Sequence, residues 1–369
     1  MYINFWYPVC ISDELKIDEP LQAKILGLSF VAFRDSEGSA HVLADTCVHR
    51  GGSLGKGKVQ NGRIACPYHG WQYGGDGKCK YIPVLGKKGN IPPRAKVDSY
   101  PVTERYGIVF AFLGDEPAET RAPLFEIPEW EKPGWRASGL VIFNLDAYFE
   151  RSIENGLDPV HNEFVHPLQG NLRYQPDRTV LTKNDWGSGI KVRMDPPGPG
   201  ATELEYLRND EDDLKHFGAT SFHQGPNTLV TEINLSKENT FIQYFFEQPV
   251  NSKLTRIFFI NMRSCLLDPS NDERLQKINL AIADEDIAVV SKLYPLRTPE
   301  SSNREILILG DECIGEFRNS LKKWEGLGWR IDMKKMEEAS GDVAFAIPCP
   351  DRRNSKNWVL ESIPLKKNI

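Results

Sequence analysis

Four residues near the start of the chain have the types and spacing of a metal centre. Cys47 and His49 sit in CVHRGG, Cys66 and His69 in CPYHGW, and sixteen residues separate His49 from Cys66. Residues i and i+2 of an extended chain point the same way, so the first loop can turn a thiolate and an imidazole toward one point. The second loop can answer from the other side. Gly51, Gly52, Gly70 and Pro67 suit tight loops that pass close to a bound group. Two Cys and two His could bind zinc, although zinc sites usually pair Cys with Cys and His with His at each knuckle. One thiolate and one imidazole per loop suits a binuclear centre, in which one metal takes both thiolates and the other both imidazoles. Four unrelated buried residues are the bland alternative.

A second group lies in ENGLDPVHNEFVH, residues 154–166. Asp158 and His161 are three apart and would share a helix face. His161 and His166 are five apart, about 140° around a regular helix, so they meet only if the helix widens or ends. Pro159 and Pro167 supply the means of breaking it. Two half-exposed histidines at a helix end are the plain alternative. A two-histidine iron site needs a carboxylate as third ligand and open positions for dioxygen. Asp284, Glu285 and Asp286 offer one on a long helix predicted over about 272–292. At 100° per residue, Leu275, Ile278, Ile282, Val289, Val290 and Leu293 form one apolar stripe. Asp286 falls in its middle, Glu285 at its edge and Asp284 opposite. A carboxylate aimed into a core is costly unless paired or metal-bound. Asp286 is therefore the expected ligand, the alternative being a carboxylate satisfied by a buried Arg or by backbone amides.

The elements that must carry these residues follow from the patterning. Residues 24–34, 41–45, 62–73 and 106–114 are short β-like runs between Gly and Pro, which predicts an all-β domain over 1–115. Residues 116–135, rich in Pro and acidic side chains, read as a linker. In 136–369 a helix is expected over about 149–158, a loop at 195–203 and a solvated charged segment at 208–215. Strand-like runs at 227–235, 239–248 and 254–264 predict an antiparallel meander. The length of 369 residues and 40% apolar content allow two cores. A net charge of −6 argues against nucleic acid as partner. No apolar run reaches a membrane span of about 18 residues, and the first ten residues lack a secretory signal, so a soluble cytoplasmic protein is expected. Seven cysteines spread along the chain do not form a disulfide framework.

The spacing C-x-H, sixteen residues, C-x-x-H resembles the Rieske [2Fe–2S] motif. Gly52 and Tyr68 stand where respiratory Rieske proteins carry an extra disulfide pair, so the oxygenase variety is implied, low within a range of about −150 to +300 mV. The pattern N-x-x-D-x-x-H-x-x-x-x-H, filled by Asn155, Asp158, His161 and His166, and the ED of 285–286 extend the resemblance over nearly the whole chain. It is similar to the oxygenase (α) subunit of the Rieske non-haem iron oxygenases, in the monooxygenase and demethylase branch. The resemblance implies an α+β fold, an N-terminal all-β Rieske domain followed by a helix-grip domain with its antiparallel sheet around a long helix. It implies a [2Fe–2S] cluster on Cys47, His49, Cys66 and His69, with Arg50 and Trp71 packed around it. A mononuclear Fe(II) on His161, His166 and Asp286 is implied as well. Asp158 would accept a hydrogen bond from His161 and reach a cluster histidine of a neighbouring subunit in a homotrimer, and Asn155 would lie near the iron. Dioxygen, a small apolar, aromatic or polycyclic substrate, and a ferredoxin or flavin reductase as electron donor complete the expectation. The rival classes are a Rieske electron carrier fused to a ligand-binding domain, and a zinc-stabilised scaffold. Cys10, Cys79, Cys265, Cys313 and Cys349 are expected as plain buried thiols. His41, His216 and His223 are given no role, though His223 could line a substrate pocket.

Overall fold

The computed structural model describes residues 1–167, 174–194, 207, 217–299 and 302–366. They form two compact units, Met1–Leu124 with Trp324–Ile369, and Phe125–Lys323.

The first unit is built on small antiparallel sheets, as its alternating runs require. Strands β1 (Phe5–Ile11), β10 (Val102–Arg105) and β11 (Ile108–Leu113) form one. Strands β2 (Leu21–Ile25), β3 (Leu28–Arg34), β4 (Ala40–Ala44) and β9 (Ser99–Tyr100) form the next. The third contains β5 (Lys58–Gln60), β6 (Arg63–Ala65), β7 (Gln72–Tyr73) and β8 (Cys79–Tyr81). The run 24–34 is a hairpin rather than one strand: Leu26 (φ 54°) and Gly27 (φ 83°) make its two-residue turn. Strands β6 and β7 pair as Ile64↔Tyr73 and Ala65↔Gln72, which makes CPYHGW the loop of a hairpin.

The boundaries 1–115, 116–135 and 136–369 do not coincide with these units. Residues 116–124 belong to the first unit, tied by Asn4 Oδ1, which accepts from the Asp115 and Glu116 amides, and by Trp6 Nε1, which donates to Ala122 O. The last 46 residues (Trp324–Ile369) return to it as well. Trp324 is fully buried, 4.8 Å from the Phe5 ring, and Ile331 donates to Met1 O. Tyr100 OH donates to Ile347 O, and Arg352 forks onto both oxygens of the fully buried Asp98 at 2.6 and 2.7 Å. Long-range packing of this kind leaves no periodic signal in either partner segment.

The second unit is a seven-stranded antiparallel sheet. Its strands are β12 (Arg136–Leu145), β13 (Tyr174–Lys183), β14 (Gly187–Met194), β15 (Gly218–Gln224), β16 (Thr228–Asn234), β17 (Thr240–Pro249) and β18 (Thr255–Arg263), in the order β12-β18-β17-β16-β15-β14-β13. The expected meander is β16–β17–β18. Helices α1 (Phe149–Leu157), α2 (Asn162–Val165) and α3 (Asp272–Val290) carry the second group of candidate residues, and α4 (Glu312–Gly326) follows. Helix α3 is pinned at both ends. Leu275 packs with Phe241 and Cys265, and Val290 with Leu145, Ile257 and Phe259; each such buried side chain contributes about 1.5–3 kcal/mol. Its stripe is shorter than expected, because Val289 is 44% exposed and Leu293, beyond the helix, 39%. The α+β class with an antiparallel second domain is as expected. The loop at 195–203, the charged segment at 208–215 and His216 lie outside the described residues.

Candidate functional site

Helix α1 ends at Leu157 because Asp158 precedes Pro159 and is driven into extended backbone (φ −90°, ψ 108°). The chain turns, α2 makes one turn beginning at His161, and His166 leaves it at ψ 71°. That double interruption overcomes the 140° separation. His161 Nε2 and His166 Nε2 stand 3.1 Å apart, and Asp286 Oδ1 lies 3.5 Å from the first and 3.2 Å from the second. Donors at right angles around an ion with bonds of about 2.1 Å would be about 3 Å apart. Among the described residues this is the one group of three or more metal-binding side chains within 4.8 Å of one another.

Each imidazole is held by its other nitrogen. His161 Nδ1 contacts the Asp158 carbonyl oxygen, and His166 Nδ1 contacts Glu285 Oε2 at 2.9 Å. Donation from both Nδ1–H groups leaves both Nε2 lone pairs facing Asp286. The expected bond from His161 to the Asp158 carboxylate is therefore made by the carbonyl instead. The Asp158 carboxylate takes the Val160 amide on Oδ1 at 2.7 Å, and the His161 backbone amide also favours its charged form. Asn155, expected near the metal, donates from Nδ2 to Asp286 Oδ1 at 2.9 Å and fixes that carboxylate. Burial pulls the His161 pKa down, with Asp286 opposing. For His166 the same burial is outweighed by Asp286 and Glu285, and its pKa is raised. For Asp286 burial is outweighed by the two histidines and Asn155, and its pKa is lowered.

Glu285 is the residue that sequence reasoning missed. It was placed at the edge of the stripe, which is where a side chain 100° from Asp286 can grip a ligand from outside. Glu285→Ala is expected to weaken iron binding about 10- to 100-fold without bleaching the cluster. Competition with a chelator, followed by iron content and visible absorbance, checks it.

The triad sits at a cavity of about 1050 Å³, open mouth included. Alternate residues of the sheet line it, among them Phe143, Ile190, Leu229, Phe245, Ile257 and Phe259, with α1 and α3 closing over them. His223 does not line it: fully buried, it lies 3.0 Å from Ser188 Oγ and 3.0 Å from Gly225 O, and burial depresses its pKa to about 4. His41 pairs with Asp35 at 2.8 Å.

In the first unit the two loops share one construction. Gly51 donates to Cys47 O at 2.9 Å and Gly70 to Cys66 O at 3.0 Å, with φ of 70° and 69° that favour glycine. The thiols point inward, Cys47 2% and Cys66 4% exposed, while His49 and His69 face out with ring centroids 4.4 Å apart. Trp71 stacks on His49 at 4.7 Å. A tetrahedral zinc holds its donors within about 4 Å of one another, and these four are not so gathered. Buried sulfurs, outward imidazoles and a wider gap fit a binuclear iron–sulfur group. A β-carbon built at Gly52 would lie 2.9 Å from Cys66 Sγ, so glycine is needed for this approach. Burial raises the Cys47 thiol to about 11, and Tyr73 OH stands 3.1 Å from its sulfur. All seven cysteines are free and buried.

Two family models match, the Rieske [2Fe-2S] domain over residues 5–101 and the vanillate O-demethylase oxygenase C-terminal domain over residues 145–326. The chain is 33% identical to chlorophyllide a oxygenase of Arabidopsis thaliana over 44% of its length and 29% of that protein's. It is 27% identical to methylxanthine N1-demethylase NdmA of Pseudomonas putida over 87% and 88%. The structure of Pseudomonas putida NdmB superposes with a TM-score of 0.72 at 26% identity, covering 88% and 92% of the two chains. The chain spans about half or less of the length of several other curated relatives. Among the described residues no helix is long and apolar enough to cross a membrane.

Proposed function

Because this chain belongs to the Rieske oxygenase family, we propose that it is the oxygenase component of a Rieske monooxygenase system acting on an apolar, aromatic or polycyclic small molecule. The observation that carries this reading is the meeting of His161, His166 and Asp286 at one apolar cavity. Cys47, His49, Cys66 and His69 would hold the [2Fe–2S] cluster, and His161, His166 and Asp286 the ferrous ion. Bound there, the two groups supply stored electrons and dioxygen activation.

The protein's own part is positional. Asn155 and Glu285 fix the carboxylate and one imidazole, so the donor set is formed before any ligand arrives. The apolar wall keeps bulk water from the reacting C–H bond. In overall balance a C–H bond, O2, two electrons and two protons give an alcohol and water. On a methyl group borne by nitrogen or oxygen, the hydroxylated carbon then departs as formaldehyde. The extended match to a methylxanthine demethylase supports dealkylation among these outcomes. Asp158, whose carbonyl oxygen holds His161 and which lies at the edge of the cavity, is assigned to electron entry from a cluster histidine of a neighbouring subunit. A homotrimer is part of the same reading, supported by the apolar side chains left on the second unit's surface, among them Phe164, Tyr294, Ile306, Ile308 and Leu309. A ferredoxin or flavin reductase is the electron donor, and the five cysteines outside the cluster loops, none of them in a disulfide, support a cytoplasmic setting.

The test is oxygen uptake by the iron-loaded full chain with a surrogate reductase, across a panel of neutral and acidic ring compounds, with product masses recorded. Substrate-dependent uptake with a product heavier by one oxygen, or lighter by one methylene, is expected. Cluster reduction without uptake on any compound would favour the electron-carrier reading. A colourless protein without acid-labile sulfide would remove both.

A further inference from the structure

We propose that the cavity selects an uncharged substrate carrying a hydroxyl or carbonyl oxygen, read by a polar band of Asn279, Gln243, Thr231 and Ser221 set away from the metal ligands. The inference rests on the oxygenase reading only for what happens at the metal end.

The band follows from register. Ser221 pairs with Thr231, and Thr231 with Gln243, so three polar side chains stand in one row across β15, β16 and β17. All three line the cavity. The rows on either side are apolar where they line it: Val192, Ala219 and Ile233 on one, Leu229, Phe245 and Phe259 on the other. Helix α3 lays Asn279 over the row, where Gln243 Nε2 donates to Asn279 Oδ1 at 3.2 Å. Asn279 Nδ2 is closed off from solvent and has no hydrogen-bond partner among the described residues. Leaving a buried amide donor unpaired is unfavourable, and an acceptor on the ligand would remove that cost.

Placement and charge narrow the ligand. Asn279 precedes Asp286 by seven residues, which is two turns on nearly the same helix face and about 10 Å along the axis. The ligand therefore presents its oxygen well away from the carbon at the metal. None of the described residues lining the cavity is Lys or Arg. On β14, Ile190, Val192 and Met194 face inward, whereas Lys191 and Arg193 alternate to the other face. A carboxylate at the band would meet neutral amides and hydroxyls only, and an unpaired ion in such a place is strongly disfavoured.

The experiment is equilibrium dialysis of the iron-loaded full chain against naphthalene, biphenyl and steroid skeletons, each as hydrocarbon, alcohol and carboxylate, with oxygen uptake read in parallel. On the skeleton that binds tightest, the alcohol is expected to bind about tenfold tighter than the hydrocarbon, and tighter than the carboxylate. Asn279→Leu, close in size, and Thr231→Val, on another element, should each shrink the alcohol-to-hydrocarbon affinity ratio severalfold. Unchanged far-ultraviolet circular dichroism shows that each variant is folded. The proposal is overturned if the carboxylate binds best, if both variants leave the alcohol-to-hydrocarbon ratio unchanged, or if none of the nine compounds binds. Alcohol-selective binding without uptake would count against the oxygenase reading and leave this one standing; equal uptake with all hydrocarbons and alcohols would do the reverse.

Discussion

Asp286→Ala is expected to yield a folded, coloured protein with no turnover. In the proposed ligand set the carboxylate would supply the one negative donor, 3.2 and 3.5 Å from the two imidazole nitrogens. Without it two neutral imidazoles remain, and a ferrous ion held by them alone is easily lost. The proposed cluster donors lie in the other unit, more than 200 residues away in sequence, so visible absorbance and acid-labile sulfide should persist. Iron should fall from about three to about two atoms per chain, given two irons in the cluster and one in the triad. Product formation should drop below about 1% of the parent, since the open coordination positions go with the ion. Metal analysis and single-turnover product yield check it together. A variant that keeps its third iron and its turnover would show that Asp286 is not a ligand.

The second large effect is on stability. Arg352→Ala should destabilise the first unit by about 3–5 kcal/mol, because it strands a charge inside the protein. Asp98 is fully buried, and Arg352 meets both of its oxygens while also donating to Leu360 O. The Cys349 amide adds a further bond to Asp98 Oδ1. Remove the guanidinium and the carboxylate loses the cation it pairs with among the described residues. Urea unfolding followed by loss of cluster absorbance should shift to lower denaturant, and proteolysis should release the C-terminal segment. Asp98→Asn combined with Arg352→Met, which removes both charges and keeps most of the volume, should recover a large part of the loss. If Arg352→Ala unfolds like the parent, the return of residues 324–369 to the first unit contributes little to its stability.

Much of the candidate site was legible because the residues proposed for it lie close together in the chain. Cys47 with His49, and Cys66 with His69, lie within single tight loops, and loop geometry depends on neighbours a few residues away. The two sheet-forming regions and helix α3 were legible for the same reason: periodicity of two or 3.6 is written within each segment. The choice of Asp286 over Asp284 also came from periodicity, and the structure turns Asp286 toward the histidines although the stripe that singled it out ends earlier than expected.

What the residues determined unaided was which side chains could act as donors and which elements carry them. Tertiary structure alone decided how the donors are held: Glu285 behind His166, Asn155 behind Asp286, and the Asp158 carbonyl, not its carboxylate, behind His161. It also decided that the last 46 residues close the first unit and that a polar row crosses the cavity wall. The physical reason is common to all of these. Each is a contact between segments far apart in the chain, fixed by strand register and by side-chain packing across the fold, and neither leaves a mark in the order of residues within one segment.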